Sequence, residues 1–345
     1  MSLNLHKLID QLPKTELHLH IEGGAMYPEL ALELGEKNKV ALPFNDLESA
    51  RDFYRFESLD HFIHILRTTV ATLCEAEDFC RAVAVIGERA AAQNIHYHEL
   101  MVSPGLRPDI DFETIAVGLE AGRAENLKRY GVETRFVLDI DRTKPSAWGL
   151  DLVEKGALWR ERAGVIAVGL DCQENGFPPS RHVSAFKRAK ELGFRRTGHA
   201  GEDGPAEYIW DGLKNCGFER IDHGVRAAED PRLVQYLAEK RIPLTVCPLS
   251  NLQLKVFPEM PAHTIERLRQ AGVVVTVNSD DPPMFDCDMV DDFKAVADCF
   301  DWDARTIIQT ARSGFEASFL EPEEKAKALV DFDRKAESLY AELKL

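Results

Sequence analysis

The sequence lacks any apolar run close to the ~20 residues that a membrane-spanning helix requires. Its first residues also lack the apolar core and the small-residue cleavage site of a secretory signal. Its 7 cysteines contain no C-x-x-C pair, which favours free thiols in a reducing compartment over a disulfide framework. We find no repeat, low-complexity tract or linker. These absences favour a cytoplasmic protein without a membrane partner, built as one domain over residues 1–345.

Positive charge is scarce relative to negative charge. The chain has 42 basic and 58 acidic side chains, which gives a formal net charge of -16 at pH 7. A surface of this sign repels phosphate backbones, so we expect no nucleic-acid partner, whereas a small neutral or cationic molecule is compatible with it. The apolar content of 45% is sufficient to fill a sizeable core.

Short apolar or β-branched runs recur along the chain, and most of the intervals between them have the pattern of an amphipathic helix. This alternation indicates parallel strands. Eight such runs favour a closed (β/α)8 barrel, which uses about 250 residues or more as a single unit, over an open doubly wound sheet. We expect the strands at residues 15–20, 95–102, 134–140, 165–171, 194–199, 220–223, 242–247 and 273–278.

Two stretches depart from this repeat. Residues 29–93 are long and mostly helical, so we interpret them as an insertion after the first strand that could form a lid. Residues 303–345 predict closing helices. The predicted fold is therefore of the α/β class, a (β/α)8 TIM barrel with a helical insertion after strand 1 and extra C-terminal helices.

Reactive side chains stand at the ends of several predicted strands. In a (β/α)8 barrel the carboxyl ends of the strands meet at one face, where the active site lies. We therefore expect a single site there, which draws on the side chains that end or directly follow the first, fifth, sixth and eighth strands: His18, His20, His199, Glu202, His223, Asp280 and Asp281.

Four of these side chains have the chemistry of a metal site. His18 and His20 are two residues apart on a strand, point to the same side and can bind one ion. An H-x-H pair alone is weak evidence, since the sequence carries a second copy. His199 and Asp280 complete a set of three imidazoles and one carboxylate, which suits zinc with a position left for water. Iron also accepts these ligands.

Each candidate also has a structural interpretation. Glu202 could be a carboxylate at a helix N-terminus, His223 a buried core histidine, and Asp281 a turn residue before two prolines. We interpret the second H-x-H pair, His96 and His98, as structural, with one of the two supporting the barrel. Four further histidines are interpreted as surface or packing residues: His61, His64, His182 and His263.

Four motifs in order resemble the adenosine/adenine deaminase family. They are residues 13–20 (PKTELHLH), 198–202 (GHAGE), 220–224 (RIDHG) and 278–282 (NSDDP). The resemblance extends over most of the chain, and the family fold, a (β/α)8 barrel with one zinc, agrees with the strand count. It implies an aminohydrolase that acts on a 6-aminopurine with one zinc ion per chain.

The resemblance also implies roles for the candidate residues. Glu202 would protonate the purine ring at N1, His223 would orient the attacking water and help to deprotonate it, and Asp281 would hydrogen-bond N7. Protonation of N1 requires a neutral Glu202, which a dry pocket beside the ring would favour by raising its pKa. Zinc would be bound by His18, His20, His199 and Asp280.

Within the family the chain looks most like the adenine deaminase branch. Glu22 stands where nucleoside deaminases carry a shorter Asp that contacts the ribose, so the longer side chain would extend into the ribose space. Residues 172–180 (CQENGFPPS) are similar to that branch's Ser-Ser-Glu and Pro-Pro, although Cys172 and Gln173 replace its two serines. We expect Glu174 to accept a hydrogen bond from the N3/N9 edge of adenine, where adenosine has no N–H; it is otherwise a solvated loop acid.

The sequence therefore predicts zinc-dependent deamination of adenine to hypoxanthine and ammonia, in purine salvage or catabolism. The alternatives are a deaminase of adenosine or of another 6-aminopurine derivative and, in a different class, a purine- or metal-binding barrel without turnover. A two-metal hydrolase is disfavoured, because the fourth strand ends in Asp171 and Cys172 rather than in a lysine. The sequence leaves the oligomeric state open.

Overall fold

Nine parallel strand segments follow one another in chain order in this computed structural model, which describes residues 3–345 apart from the side chains at 59 and 60. They are β1 (Lys14–His20), β2 (Ile95–Val102), β3 (Glu133–Asp141), β4 (Val165–Asp171), β5 (Arg195–Arg196), β6 (His199–Ala200), β7 (Ile221–His223), β8 (Leu244–Val246) and β9 (Val275–Val277).

The short segments β5 and β6 are two halves of one barrel strand. β1 to β5 pair in sequence as one parallel sheet, and β6 to β9 pair as another. Between the two halves, Thr197 N donates to Val168 O of β4 (3.0 Å), while Asp222 N of β7 donates to Gly198 O (3.0 Å). The fifth strand therefore joins the two sheets, although it changes partner in its middle.

The barrel closes between its last and first strands. A parallel bridge links Leu19 to Asp280. Asp280 N donates to His18 O and His20 N donates to Asp280 O, each at 3.1 Å. Eight strand positions thus form a closed (β/α)8 barrel, as the sequence predicts, and the closing bonds lie among the candidate metal ligands.

Helices surround the strands. Their ends follow local chemistry: the Asp111 side chain accepts the Thr114 amide at the start of one (2.9 Å), and Asp230 caps another that begins with Pro231. The α-helices are α1 (Leu3–Gln11), α2 (Ile21–Gly24), α3 (Pro28–Asn38), α4 (Leu47–Phe53), α5 (Leu59–Val70), α6 (Ala76–Ala92), α7 (Phe112–Tyr130), α8 (Ser146–Trp159), α9 (Val183–Glu191), α10 (Ala206–Asp211), α11 (Pro231–Lys240), α12 (Pro248–Gln253), α13 (Ile265–Gln270), α14 (Pro282–Phe285), α15 (Met289–Cys299), α16 (Ala304–Ala317) and α17 (Pro322–Glu342).

Short turns of tighter or wider helix complete the structure. Two π-helical turns continue α8 and α10, namely Arg160–Gly164 and Gly212–Cys216. Four 3-10 turns lie in connecting segments: Pro104–Leu106, Pro179–His182, Val225–Glu229 and Met260–Ala262.

The strands bury both of their faces, as parallel strands covered by helices do. On β3 the alternate residues Phe136, Leu138 and Ile140 belong to the main core, which the strands share with the surrounding helices. Val137, which lies between them in sequence, instead contributes to a small cluster with Met101, Ala167 and Phe319. The period of two along the strand separates the two apolar layers.

A buried ion pair lies towards the amino-terminal end of the barrel. Arg220, which directly precedes β7, donates to Glu99 Oε2 of β2 at 2.6 Å, and both side chains are fully buried. Glu99 Oε1 accepts from the Tyr97 hydroxyl (2.7 Å) and from the Phe319 amide. The guanidinium also lies 4.1 Å from the centre of the Phe319 ring. The connection between α16 and α17 therefore closes this end of the barrel.

The predicted insertion and closing helices are both present. α2 to α6 lie between β1 and β2, and α16 and α17 follow the last strand. Phe62 of α5 stacks on Phe285 of α14 (ring centres 5.5 Å apart), so the insertion contacts the segment that follows Asp281. Its role as a lid stays a prediction. Within residues 3–345, every helix is too short or too polar to cross a bilayer.

Candidate active site

Four ligating atoms converge where β1, β6 and β9 end. The Nε2 atoms of His18 and His20 lie 3.1 Å and 3.2 Å from His199 Nε2, and each lies 3.5 Å from Asp280 Oδ1. Ligands about 2.0–2.1 Å from a tetrahedral zinc ion are separated from each other by roughly 3.3 Å. The arrangement can therefore hold one metal ion.

Hydrogen bonds behind the imidazoles orient their lone pairs. The Nδ1 atoms of His18 and His199 face the carbonyl oxygens of Thr245 (3.1 Å) and Leu170 (3.0 Å), so each Nδ1 carries the proton and each Nε2 is free to ligate. Burial lowers the pKa of His18 and of His20 to about 4, and it lowers the pKa of His199 well below its usual range. All three imidazoles are neutral at pH 7, as metal ligands must be.

His20, the third imidazole, faces the carboxyl group of Asp139, a residue that sequence reasoning missed. Asp139 Oδ2, on β3, lies 3.9 Å from His20 Nδ1, and neither Asp139 oxygen has a hydrogen-bond partner within the described residues. The neighbouring residue on β4 is Gly169, whose missing Cβ would lie 1.7 Å from Asp139 Oδ1. The sequence signal for Asp139 is an acidic residue inside an apolar strand, together with a glycine inside the next strand.

The two adjacent aspartates point in different directions. Asp280 Oδ2 accepts from Ser250 Oγ (2.6 Å), and its backbone has a left-handed φ of +66°, a strain that functional sites tolerate. Asp281 is buried, its side chain does not cap α14, and its Oδ1 has no partner among the described residues. Its carboxyl group is therefore available to a ligand, which the turn interpretation does not explain.

Gly23 of α2, another residue that sequence reasoning missed, makes room for Asp281. A Cβ at Gly23 would lie 1.8 Å from Asp281 Oδ1. Any larger residue at this position would displace the Asp281 carboxyl group. The short helix after the metal-ligand pair therefore shapes the site.

Glu202 and His223 face each other across the site. His223 Nε2 lies 3.4 Å from Glu202 Oε2 and 3.9 Å from Asp280 Oδ2. Burial, reinforced by the Asp280 and Glu174 charges, raises the pKa of Glu202 well above its usual range, which favours its protonated form. Glu202 Oε1 accepts from Asn251 Nδ2 (3.1 Å). A buried carboxyl group with a raised pKa beside the four candidate ligands can act as a general acid.

Glu174 holds the loop that carries Glu202. It is buried, with 4% exposed surface, so the interpretation as a solvated loop acid is wrong. Its carboxylate accepts the amides of residues 201–204, and the measured distances are 3.1 Å for Glu202, 3.0 Å for Asp203 and 2.7 Å for Gly204. A contact between Glu174 and a purine stays a prediction.

Glu22 extends into a buried polar corner next to the candidate metal ligands. Its Oε1 accepts the Ser103 amide at 2.8 Å, while its Oε2 has no partner within residues 3–345. The Ser103 hydroxyl donates to Asp171 Oδ2. Burial raises the pKa of Glu22 to about 8 and that of Asp171 to about 6. Asp171, whose Oδ1 also lacks a partner in the described part of the chain, is a further residue that sequence reasoning missed.

The second H-x-H pair and His263 lie outside the four-donor set. His96 is exposed and bonds to Asn94 (2.9 Å), whereas His98 is buried and bonds to Thr134 on the next strand (2.6 Å), which confirms the structural interpretation of the second H-x-H pair. His263 is not a surface residue. It is buried, and its Nε2 lies 3.2 Å from Asn251 Oδ1, so it contacts a neighbour of Glu202.

Known proteins resemble the chain over nearly its whole length. The family model described as adenosine deaminase matches residues 13–335. An adenine deaminase of Cupriavidus necator is 38% identical over 335 residues, which is 95% of this chain and 93% of the relative. The crystal structure of an adenine deaminase from Arthrobacter aurescens is 34% identical, has a TM-score of 0.89 and covers 94% of this chain and 99% of its own.

A more distant structure shares the fold. An amidohydrolase from Burkholderia ambifaria, solved with bound Zn, has a TM-score of 0.89 at 22% identity and covers 100% of this chain and 96% of its own. Together with the match over residues 13–335, these similarities confirm the predicted barrel and the resemblance inferred from the four motifs. The chain belongs to the adenosine deaminase family and, within it, resembles the adenine deaminases.

Proposed function

We propose that this protein deaminates adenine hydrolytically to hypoxanthine and ammonia. The observation that carries this proposal is one cluster at the carboxyl-terminal end of the strands, the mouth of the barrel. It combines a four-donor metal site, a buried carboxyl group with a raised pKa, and a second carboxyl group with one oxygen unpartnered among the described residues. The similarity to adenine deaminases at 38% and 34% identity supports adenine as the substrate. Residues of α1 and α17 share one core with the barrel, which supports our proposal that residues 1–345 act as one domain.

We assign one zinc ion per chain to the four-donor site. Three neutral imidazoles and one carboxylate suit zinc, and the neighbouring structure that contains Zn has the same fold. When bound, zinc supplies Lewis acidity that makes water nucleophilic near pH 7. Its ligands would be His18, His20, His199 and Asp280.

The other side chains handle the purine. Glu202 donates its proton to N1, which makes C6 electrophilic, and Asp281 hydrogen-bonds N7. His223 orients the water that adds to C6. One proton of the water restores the proton that Glu202 gave to N1, the other completes the ammonia that leaves C6, and the ring becomes hypoxanthine. The overall reaction consumes one water for each ammonia released and needs no further reactant.

We attribute the choice of the free base to the corner around Glu22. This buried side chain has one oxygen without a partner among the described residues, and the family resemblance implies that it extends into the space of a nucleoside's ribose. A buried polar oxygen left unpaired penalises a ligand that cannot pair with it, and a nucleoside lacks the ring N–H of the free base. Glu174→Gln should also weaken adenine turnover, because it weakens the carboxylate anchor of the loop that carries Glu202.

The test is product formation by zinc-loaded protein supplied with adenine. We expect hypoxanthine and ammonia to appear in equal amounts, at a rate that rises with zinc occupancy up to one ion per chain. Binding of adenine without ammonia release would contradict the proposal and favour a barrel that binds purines without turnover. Turnover of N6-substituted adenine alone would keep the chemistry and change the substrate.

A further inference from the structure

A chain of hydrogen bonds connects the backbone of α13 to the two groups that face the substrate. The Ile265 amide donates to His263 Nδ1 (3.1 Å), and His263 Nε2 lies 3.2 Å from Asn251 Oδ1. Asn251 Nδ2 in turn lies 3.1 Å from Glu202 Oε1 and 3.3 Å from His223 Nδ1. His263 and Asn251 are both buried.

The direction of every bond in this chain follows from its first member. A backbone amide can only donate, so His263 Nδ1 must accept. Burial also lowers the pKa of His263 to about 4, so the ring is neutral at pH 7 and its one proton is on Nε2. That N–H donates to Asn251 Oδ1. A flipped Asn251 amide would place two donors face to face, so the network excludes the flip.

The far end of the chain therefore has a fixed polarity. Both N–H groups of the Asn251 amide point into the site, one to Glu202 Oε1 and the other to His223 Nδ1. His223 Nδ1 must accept, and the His223 proton is consequently on Nε2. That N–H faces Glu202 Oε2 and Asp280 Oδ2, 3.4 Å and 3.9 Å away, on the side where the reaction takes place.

We propose that Asn251 and His263 are positioning residues, which set the tautomer of His223 and hold the Glu202 carboxyl for proton transfer to the purine ring. This inference rests on the proposed function for the reaction it serves. His223 enters that reaction as a hydrogen-bond donor to the attacking oxygen, because its Nδ1 is already occupied. This tautomer revises the expectation that His223 helps to deprotonate the water. We call this chain of hydrogen bonds from Ile265 to His223 and Glu202 the relay. Without it, either nitrogen of the His223 ring can carry the proton, and Glu202 Oε1 loses the Asn251 donor that fixes its position.

The relay makes a specific prediction for His263. His263→Gln keeps an N–H near the position of Nε2, whereas His263→Leu removes it. We expect kcat for adenine to fall roughly 10- to 100-fold in the Leu variant, the order expected for a misplaced reacting group, and to recover in the Gln variant, with KM nearly unchanged in both. His98→Leu is the control, because it removes an equally buried histidine outside the site and should leave kcat unchanged.

Asn251→Leu cuts the chain at its branch point. The expected fall in kcat is at least that of His263→Leu. The variant that combines Asn251→Leu with His263→Leu should have the same kcat as Asn251→Leu alone, because His263 acts through Asn251. Melting temperature and zinc content show whether each variant is folded and loaded. Equal activity of the Leu and Gln variants at position 263, or additive losses in the double variant, would overturn the proposal.

A spectroscopic measurement reads the relay without turnover. In protein labelled with 15N-histidine, the nitrogen shifts should report the Nε2–H tautomer for both His223 and His263, and Asn251→Leu should shift His223 towards the Nδ1–H form. An Nδ1–H tautomer of His223 in the unaltered protein would overturn the relay even if adenine is deaminated. Absence of adenine turnover together with the expected tautomers would refute the proposed function alone.

Discussion

The two ends of the barrel bury charge in opposite ways. Towards the amino-terminal end, both oxygens of Glu99 accept hydrogen bonds and the carboxylate pairs with Arg220. At the mouth, four equally buried acids retain oxygens without a partner among the described residues: Glu22 Oε2, both oxygens of Asp139, Asp171 Oδ1 and Asp281 Oδ1.

This difference separates stability from function. An unpaired buried polar atom costs about 1–3 kcal/mol, so a chain that needed only to be stable would not keep several together. Under the proposed function, the mouth keeps them for a metal ion and a substrate, whereas the ion pair at the other end serves the fold. Changes at the mouth should therefore affect turnover and metal binding, and changes at the other end should affect stability.

The largest effect is expected at the acid that faces the purine. Glu202→Gln keeps the shape of the side chain and removes its transferable proton, so kcat/KM for adenine should fall by roughly 10²–10⁴-fold. Steady-state kinetics measure the loss, and zinc content and melting temperature should stay close to those of the unaltered protein. A loss below tenfold would mean that another group protonates the ring.

The opposite end should respond in stability alone. Glu99→Ala leaves the Arg220 guanidinium buried without its charge partner, which should lower the free energy of unfolding by about 3–5 kcal/mol. Denaturant unfolding measures this change. At a temperature where the variant is folded, its kcat/KM for adenine should be unchanged; a large loss of activity there would break the separation between the two ends.

The carboxylate behind His20 should act through the metal. Asp139→Asn weakens its interaction with His20 Nδ1, and zinc affinity should fall by roughly 10- to 100-fold, measured by competition with a chelator. Gly169→Ala should have a similar effect, because its new Cβ would displace the Asp139 carboxylate. Asp141→Asn, on the same strand, is the matched control and should retain zinc. Unchanged zinc affinity in both Asp139→Asn and Gly169→Ala would show that Asp139 does not support metal binding.

The smallest expected effect is a pH dependence of stability. Burial raises the pKa of Asp171 from 3.8 to about 6, so the folded chain holds this proton over a range in which the unfolded chain releases it. The contribution of Asp171 to stability is full below pH 3.8 and is lost as the pH rises through 6. The melting temperature of metal-free Asp171→Asn, measured relative to that of the metal-free unaltered protein, should therefore rise by about 2–4 °C as the pH increases from 4 to 7. A difference in melting temperature that does not change with pH would contradict the raised pKa of Asp171.

The sequence predicts most of the barrel, because burial on both faces makes its strands apolar runs of strand length. It misses the break between β5 and β6, since a change of pairing partner at Thr197 leaves no local pattern. The candidate metal donors are visible because they end or directly follow predicted strands. The sequence does not reveal three further residues, Asp139, Gly23 and His263. Each of them contacts a site residue that is distant in sequence, and only the packed structure shows that contact.

The measurement that tests the central claim most directly is kcat/KM for adenine and for adenosine, compared side by side on zinc-loaded protein by the ultraviolet change on deamination. A free-base deaminase whose buried Glu22 corner excludes the ribose should prefer adenine by orders of magnitude. Equal or faster turnover of adenosine would leave the metal site intact and would contradict the role given to that corner.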